Sequence, residues 1–147
     1  MAAIPLLKFL VFFQGISGLM GGVFILLDPS GVYLHLPPEF LDKTPFSNYL
    51  IPGLILLIAL GLYPLMVFYM LIKDPQWQVF SFINFSHHQK DSWTATVYLG
   101  IVLLGWIIIQ VLLIGYQSYL QPFYLGVGVL ILGLSFLPVI RNKYQKD

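Results

Sequence analysis

From Ser92 to Ile140 the chain contains no Asp, Glu, Lys or Arg. As one helix that stretch would be about 70 Å long, more than twice the roughly 30 Å hydrocarbon core of a bilayer. It must therefore turn back on itself. The only segment with turn chemistry inside it is Tyr116-Gln117-Ser118-Tyr119-Leu120-Gln121-Pro122. Two apolar helices are predicted on either side of it, about Thr94 to Gly115 and Gln121 to Ile140.

Two further stretches have the length of a span, about 20 apolar residues. One runs from about Phe9 to Leu27, between Lys8 and Asp28. The other runs from about Tyr49 to Ile72, between Lys43 and Lys73. The first is too long for the apolar part of a signal peptide and has no small-x-small cleavage site before Asp28, so it is read as a permanent helix. Composition agrees. Only 9% of the 147 residues are charged and 59% are apolar, against about 25% charged in soluble domains. The expected fold is an all-α membrane protein, a single bundle of four transmembrane helices.

The positive residues give an orientation. Lys8, Lys73, Lys90, Arg141, Lys143 and Lys146 fall on one side of the four spans and Lys43 alone on the other. The positive-inside rule then puts both termini in the cytoplasm. The connection 28–48 becomes a structured outer loop. It holds Asp28-Pro29-Ser30-Gly31, a turn signature, and then the apolar Val32, Tyr33, Leu34, Leu36, Phe40, Leu41 and Phe46. A loop this apolar is expected to fold onto the mouth of the bundle as a lid. The cytoplasmic connection 73–93 carries Trp77, Phe80, Phe82, Phe85 and Trp93, aromatic density that suits the headgroup layer.

The second and fourth spans share a pattern. Tyr49-Leu50-Ile51-Pro52 opens one and Tyr119-Leu120-Gln121-Pro122 the other. Each later shows Leu-Gly-Leu and then a proline: Leu60-Gly61-Leu62 with Pro64, and Leu132-Gly133-Leu134 with Pro138. A repeat of helix pairs in the same orientation would produce this, as would residues common to membrane helices.

Several function classes are excluded or disfavoured. There is no cysteine, hence no disulfide framework, no thiolate zinc site and no thiol–quinone redox chemistry. A net charge of +1 with no basic stripe argues against nucleic acid. No charged residue is expected at membrane depth, although proton- and ion-coupled transporters normally place one there. No helix carries a continuous polar stripe, which disfavours a pore. His87 and His88 are adjacent and so face different ways, while His35 lies on the opposite side of the membrane. No metal site is expected, no cofactor, and no catalytic residue among Asp28, His35, Glu39 and Asp42.

What remains is a set of candidate contacts. Gly15, Gly18 and Gly22 share a face of the first helix, and Gly18-x-x-x-Gly22 is a small-xxx-small pair. That face allows close helix packing, within the bundle or against a second copy. Gln14 in the first helix and Gln110 in the third need hydrogen-bond partners in an apolar setting. Trp106 and Gln110 share a face at i, i+4. With Gln14 and Tyr116 they form the candidate binding set for an apolar ligand. Pro64 is expected to free a carbonyl and kink the second helix.

Asp28-Pro29-Ser30-Gly31, Leu36-Pro37, Thr44-Pro45-Phe46, Pro52-Gly53, Trp106, Gln110, Gly115 and Gln121-Pro122 together resemble a family of small bacterial four-helix integral membrane proteins. The resemblance runs from about Gly15 to Gly128 and implies a bacterial inner membrane, with no activity attached. The architecture is also loosely similar to the DoxX-like four-helix proteins, without a motif that carries the similarity. The function expected is a non-catalytic helical module: a subunit, scaffold or lipid-binding bundle. Its partners would be membrane lipid, a second copy of itself or another membrane protein. The alternative is a membrane enzyme or carrier acting on a lipid- or quinone-like molecule at the outer end of the bundle.

Overall fold

The computed structural model describes residues 2–75 and 77–147, and among these the regular structure is helical, with no strand. Helix α1 spans Ala3–Leu27, α2 spans Leu50–Lys73, α3 spans Asp91–Ile114, α4 spans Leu120–Ser135 and the short α5 spans Pro138–Lys143. The first three are long and apolar enough to cross a membrane; α4 is a shorter apolar helix.

Each helix ends for a local reason. Asp28 stops α1: its carboxylate accepts the Ser30 hydroxyl at 2.5 Å and the Tyr33 N–H at 2.9 Å. These same bonds hold its pKa below the ordinary carboxylate value. Asn48 accepts the first free N–H of α2, that of Leu50, at 3.0 Å. Asp74 ends α2 in the left-handed region (φ 46°), and Gly115 ends α3 with φ 73°. Gln121 then closes the α3–α4 turn by donating to the Gly115 carbonyl and accepting the Gln117 N–H.

The helices form a ring in which α1 packs on α2, α2 on α3, α3 on α4 and α4 back on α1, with α5 under the start of α1. Along α1 the buried residues are Leu7, Leu10, Val11, Gln14, Gly15, Gly18 and Gly22, one stripe at helical spacing. The opposite side, including Phe9, Phe12, Met20 and Phe24, is apolar and exposed. Helix α3 is divided. From Asp91 to Gly100 every residue except Tyr98 is buried, whereas most of the remainder is open on one side.

The 74–90 connection encloses that buried half. The Asp91 carboxylate accepts the Phe80 N–H at 3.2 Å, and Asn84 donates to the Gln89 carbonyl at 3.0 Å. Tyr98 donates to the Ile83 carbonyl, and Lys90 pairs with Asp74 at 2.5 Å. The 28–49 connection is also ordered. Tyr49 is buried against Gly31, its N–H donates to Pro29 and its hydroxyl donates to the Pro37 carbonyl at 2.6 Å. A 3-10 turn, Pro38–Leu41, rests on α3. Phe40, Leu41 and Phe46 are half-buried, but Val32 and Tyr33 stand exposed.

Three helix boundaries differ from expectation. Helix α1 begins at Ala3 rather than near Phe9, because one lysine in an early turn does not interrupt backbone bonding. Helix α3 begins at Asp91 rather than Thr94, since a carboxylate is favourable in a first turn. The fourth helix is not continuous from 121 to 140. It stops at Ser135, and Leu137 is extended (ψ 139°), as a residue before proline prefers to be.

Candidate functional site

Pro64 lies within α2, and the helix continues through it. The turn before it widens: Ile58–Leu62 is π-helical, and the Tyr63 N–H reaches the Ile58 carbonyl. In a regular helix the Leu60 carbonyl would receive the N–H of residue 64, which proline lacks. The Gln14 side chain donates to that carbonyl instead, at 3.3 Å. Glycines bring α1 close enough for this. A methyl at Gly22 would lie 2.7 Å from Leu57 Cα, and one at Gly61 would lie 2.8 Å from the Leu19 nitrogen. Gly15 meets Leu65, and Gly18 meets the Leu60 carbonyl itself. The glycine face of α1 is thus covered by α2 of the same chain and is not open to a second copy.

The same chemistry recurs around the bundle. The Trp93 indole N–H donates to the Ser135 carbonyl at 2.7 Å, where α4 ends. Tyr63 donates to the Ala95 carbonyl at 2.7 Å, and Tyr144 to the Leu71 carbonyl at 3.1 Å in the last turn of α2. In each case a side chain on one element supplies a donor to a backbone carbonyl on another. Among the described residues, three buried side-chain atoms have no hydrogen-bond partner: Gln14 Oε1 and the hydroxyls of Ser92 and Thr94.

The candidate binding set is not brought together. Gln14 is 2% exposed and faces α2. Trp106 and Gln110 lie on α3, which does not pack along α1. Trp106 is half-buried against the core, Gln110 is half-buried, and Tyr116 is 67% exposed at the α3–α4 turn. Nor do the loop acids gather: among the described residues no three His, Cys, Asp or Glu side chains are placed to hold a metal ion.

A different feature stands out. Between α1 and α4 runs a crevice of about 550 Å³ with a wall almost entirely of carbon. Phe9, Leu10 and Phe13 form one side; Phe123, Gly126 and Leu130 lie on the other. The Phe13 ring meets Phe123 edge-on at 5.9 Å and lies nearly parallel to Tyr124 at 6.4 Å. At Gly126 an added Cβ would find nothing within 4 Å, so the crevice has open space there. Its sequence signal was the Phe9–Phe13 pair at i, i+4 opposite Gly126. Pairing those residues required knowing that α1 and α4 are neighbours.

No family model, curated protein or solved structure matches the chain.

Proposed function

We propose that the chain is a four-span membrane protein with both termini in the cytoplasm of a bacterial inner membrane. In this reading it is a non-catalytic helical module whose principal partner is lipid. The observation that carries it is the carbon-lined crevice between α1 and α4. Phe9, Phe123 and Leu130 at its margins are exposed and apolar. In a bilayer the molecules that reach such a wall are acyl chains, and with scarcely a polar group to offer it selects for shape rather than headgroup. The buried and half-buried polar side chains fit the same reading, since Gln14, Tyr63, Trp93 and Tyr144 all serve backbone carbonyls.

Native mass spectrometry of protein released from a mild detergent tests the crevice. Wild type is expected to retain an apolar molecule that Gly126→Trp, which fills the space, does not. Equal retention by both rules the crevice out as the site. The absence of cysteine makes the topology directly testable. A cysteine at Ser47 should react with an impermeant maleimide from outside intact cells, and one at Ser86 only after lysis.

A carrier or enzyme for a lipid- or quinone-like molecule is the second reading, favoured by the unpartnered Gln14 Oε1, a buried acceptor able to take a hydroxyl. Gln14→Met should then abolish turnover while costing little stability, and should leave a purely structural module without functional loss.

A further inference from the structure

At the end of the molecule opposite the 28–49 loop, the 86–89 stretch and the C-terminal segment flank an open, solvent-facing cavity of about 380 Å³. Ser86, His88 and Gln89 line it from one side; Arg141, Asn142 and Gln145 line it from the other, with one proline between. Its walls are fixed by backbone. Gln89 and Gln145 form an antiparallel bridge, the Lys90 N–H donates to the Tyr144 carbonyl at 2.8 Å, and the Lys146 N–H donates to the His88 carbonyl at 2.8 Å. The Gln89 amide, its nitrogen turned inward, donates to the carbonyls of Arg141 at 2.9 Å and Tyr144 at 3.2 Å.

The charge at this end is unbalanced. Among the described residues the one ion pair is Lys90 with Asp74, and Asp91 is held by the Phe80 N–H and Asn84. Arg141, Lys143 and Lys146 are exposed without a carboxylate partner; Asp147 is the one acid in that tail. The cavity wall therefore offers the Arg141 guanidinium, the His88 imidazole, the amides of Asn142 and Gln145 and the Ser86 hydroxyl, and no carboxylate side chain. That donor set suits a tetrahedral oxyanion, for which a guanidinium supplies a two-pronged contact. The same connection exposes Phe82 and Phe85, side chains that enter the interfacial layer of a bilayer.

We propose that this cavity is a phosphate-binding site, filled in the membrane by the phosphodiester of an anionic phospholipid. The inference rests on the membrane reading above and adds a headgroup site at the cytoplasmic surface, separate from the crevice. The test uses the full chain in dodecyl maltoside, with native mass spectrometry after adding dioleoyl phosphatidylglycerol or dioleoyl phosphatidylcholine. Wild type should retain the anionic lipid at least about tenfold better, and Arg141→Gln should lose that preference, the usual cost of one charge-assisted hydrogen bond. Lys143→Gln, outside the cavity, should keep it. Gln145→Leu, which removes a wall amide and leaves the backbone bridge, serves as a second variant should Arg141→Gln fail to fold. Displacement of the lipid by millimolar inorganic phosphate, dependent on Arg141, would support the same site with the free anion as its source. Equal retention of the two lipids, retention of neither, or an undiminished preference in correctly folded Arg141→Gln would overturn the proposal. A chain that shows no preference yet resists carbonate extraction from membranes refutes this site alone; a chain that carbonate removes refutes the membrane reading.

Discussion

Pro64 in α2 and Pro138 after α4 each follow a Leu-Gly-Leu sequence, yet one helix continues past its proline to Lys73 and the other has ended at Ser135 before its proline is reached. The residues before the two prolines take opposite conformations. Tyr63 stays helical (ψ −49°), which proline disfavours, while Leu137 is extended (ψ 139°), which proline prefers. What differs is the surroundings of the glycine. Gly61 lies against the backbone of Leu19 and Gly18, so α1 braces α2 at this point, and the π-turn takes up the misfit. A Cβ at Gly133 would meet nothing within 4 Å, so that side of α4 has no such brace. The open carbonyls are treated alike: Leu60, freed by Pro64, receives Gln14, and Ser135, left open where α4 ends, receives Trp93. Proline thus poses the problem, and the neighbouring helix decides whether the helix goes on or ends.

The comparison can be broken most directly at its glycines. Gly61→Ala should cost about 2–3 kcal/mol, because its methyl would strike α1 backbone that cannot move aside. Gly133→Ala should instead stabilise by about 0.5 kcal/mol, through helix propensity alone. Thermal unfolding of the two variants in one detergent decides it, and shifts of the same sign would remove the bracing argument. Next in size is Trp93→Phe, which leaves the buried Ser135 carbonyl without its donor. A loss of about 1–2 kcal/mol is expected, and no loss would mean that the end of α4 needs no outside support.

Tyr144 ties the tail after α5 to the last turn of α2, and burial together with nearby Asp74 pushes its hydroxyl up to about 12. Between pH 10 and about 12 the unfolded chain gives up a proton that the folded chain keeps. The stabilisation is therefore intact below pH 10 and is lost as pH rises through that window. The slope should be under about 1 kcal/mol per pH unit after solvent screening. The difference between wild type and Tyr144→Phe should show this slope, and a difference independent of pH would exclude it. The smallest effect belongs to Gln14→Met, about 0.5 kcal/mol. Hydrogen bonds between membrane helices average near that value, and the change also removes the unpartnered Oε1. A loss above about 2 kcal/mol would show that Oε1 has a bound partner.

Apolar length and charge placement made α1, α2 and α3 legible, and the Tyr116–Pro122 turn as well, because water-avoiding runs must end where polar residues allow. The break at Phe136–Leu137 was less so: a charge-free stretch marks where a helix is tolerated, and hydrogen bonding decides where it stops. Pro138 was the available signal. Gln14 was recognisable as a buried amide in need of a partner, but its partner is a backbone carbonyl and has no side-chain signature. Pro64, four residues after Leu60, was the indirect clue. Trp106 and Gln110 share a helix face as expected. Their separation from Gln14 depends on the order of helices around the ring, which local spacing does not encode.

The 16 residues of α4 measure about 24 Å along the axis, several ångströms less than the hydrocarbon layer that α1, α2 and α3 can each cross. In the proposed four-span arrangement, the bilayer would face an uneven perimeter. On the α4 side it must thin locally or draw the extended Phe136–Leu137 link inward, at a fraction of a kcal/mol per ångström of mismatch. The consequence expected under that proposal is a preference over membrane thickness: partitioning toward thinner, shorter-chained bilayers, set by where a single proline ends a helix.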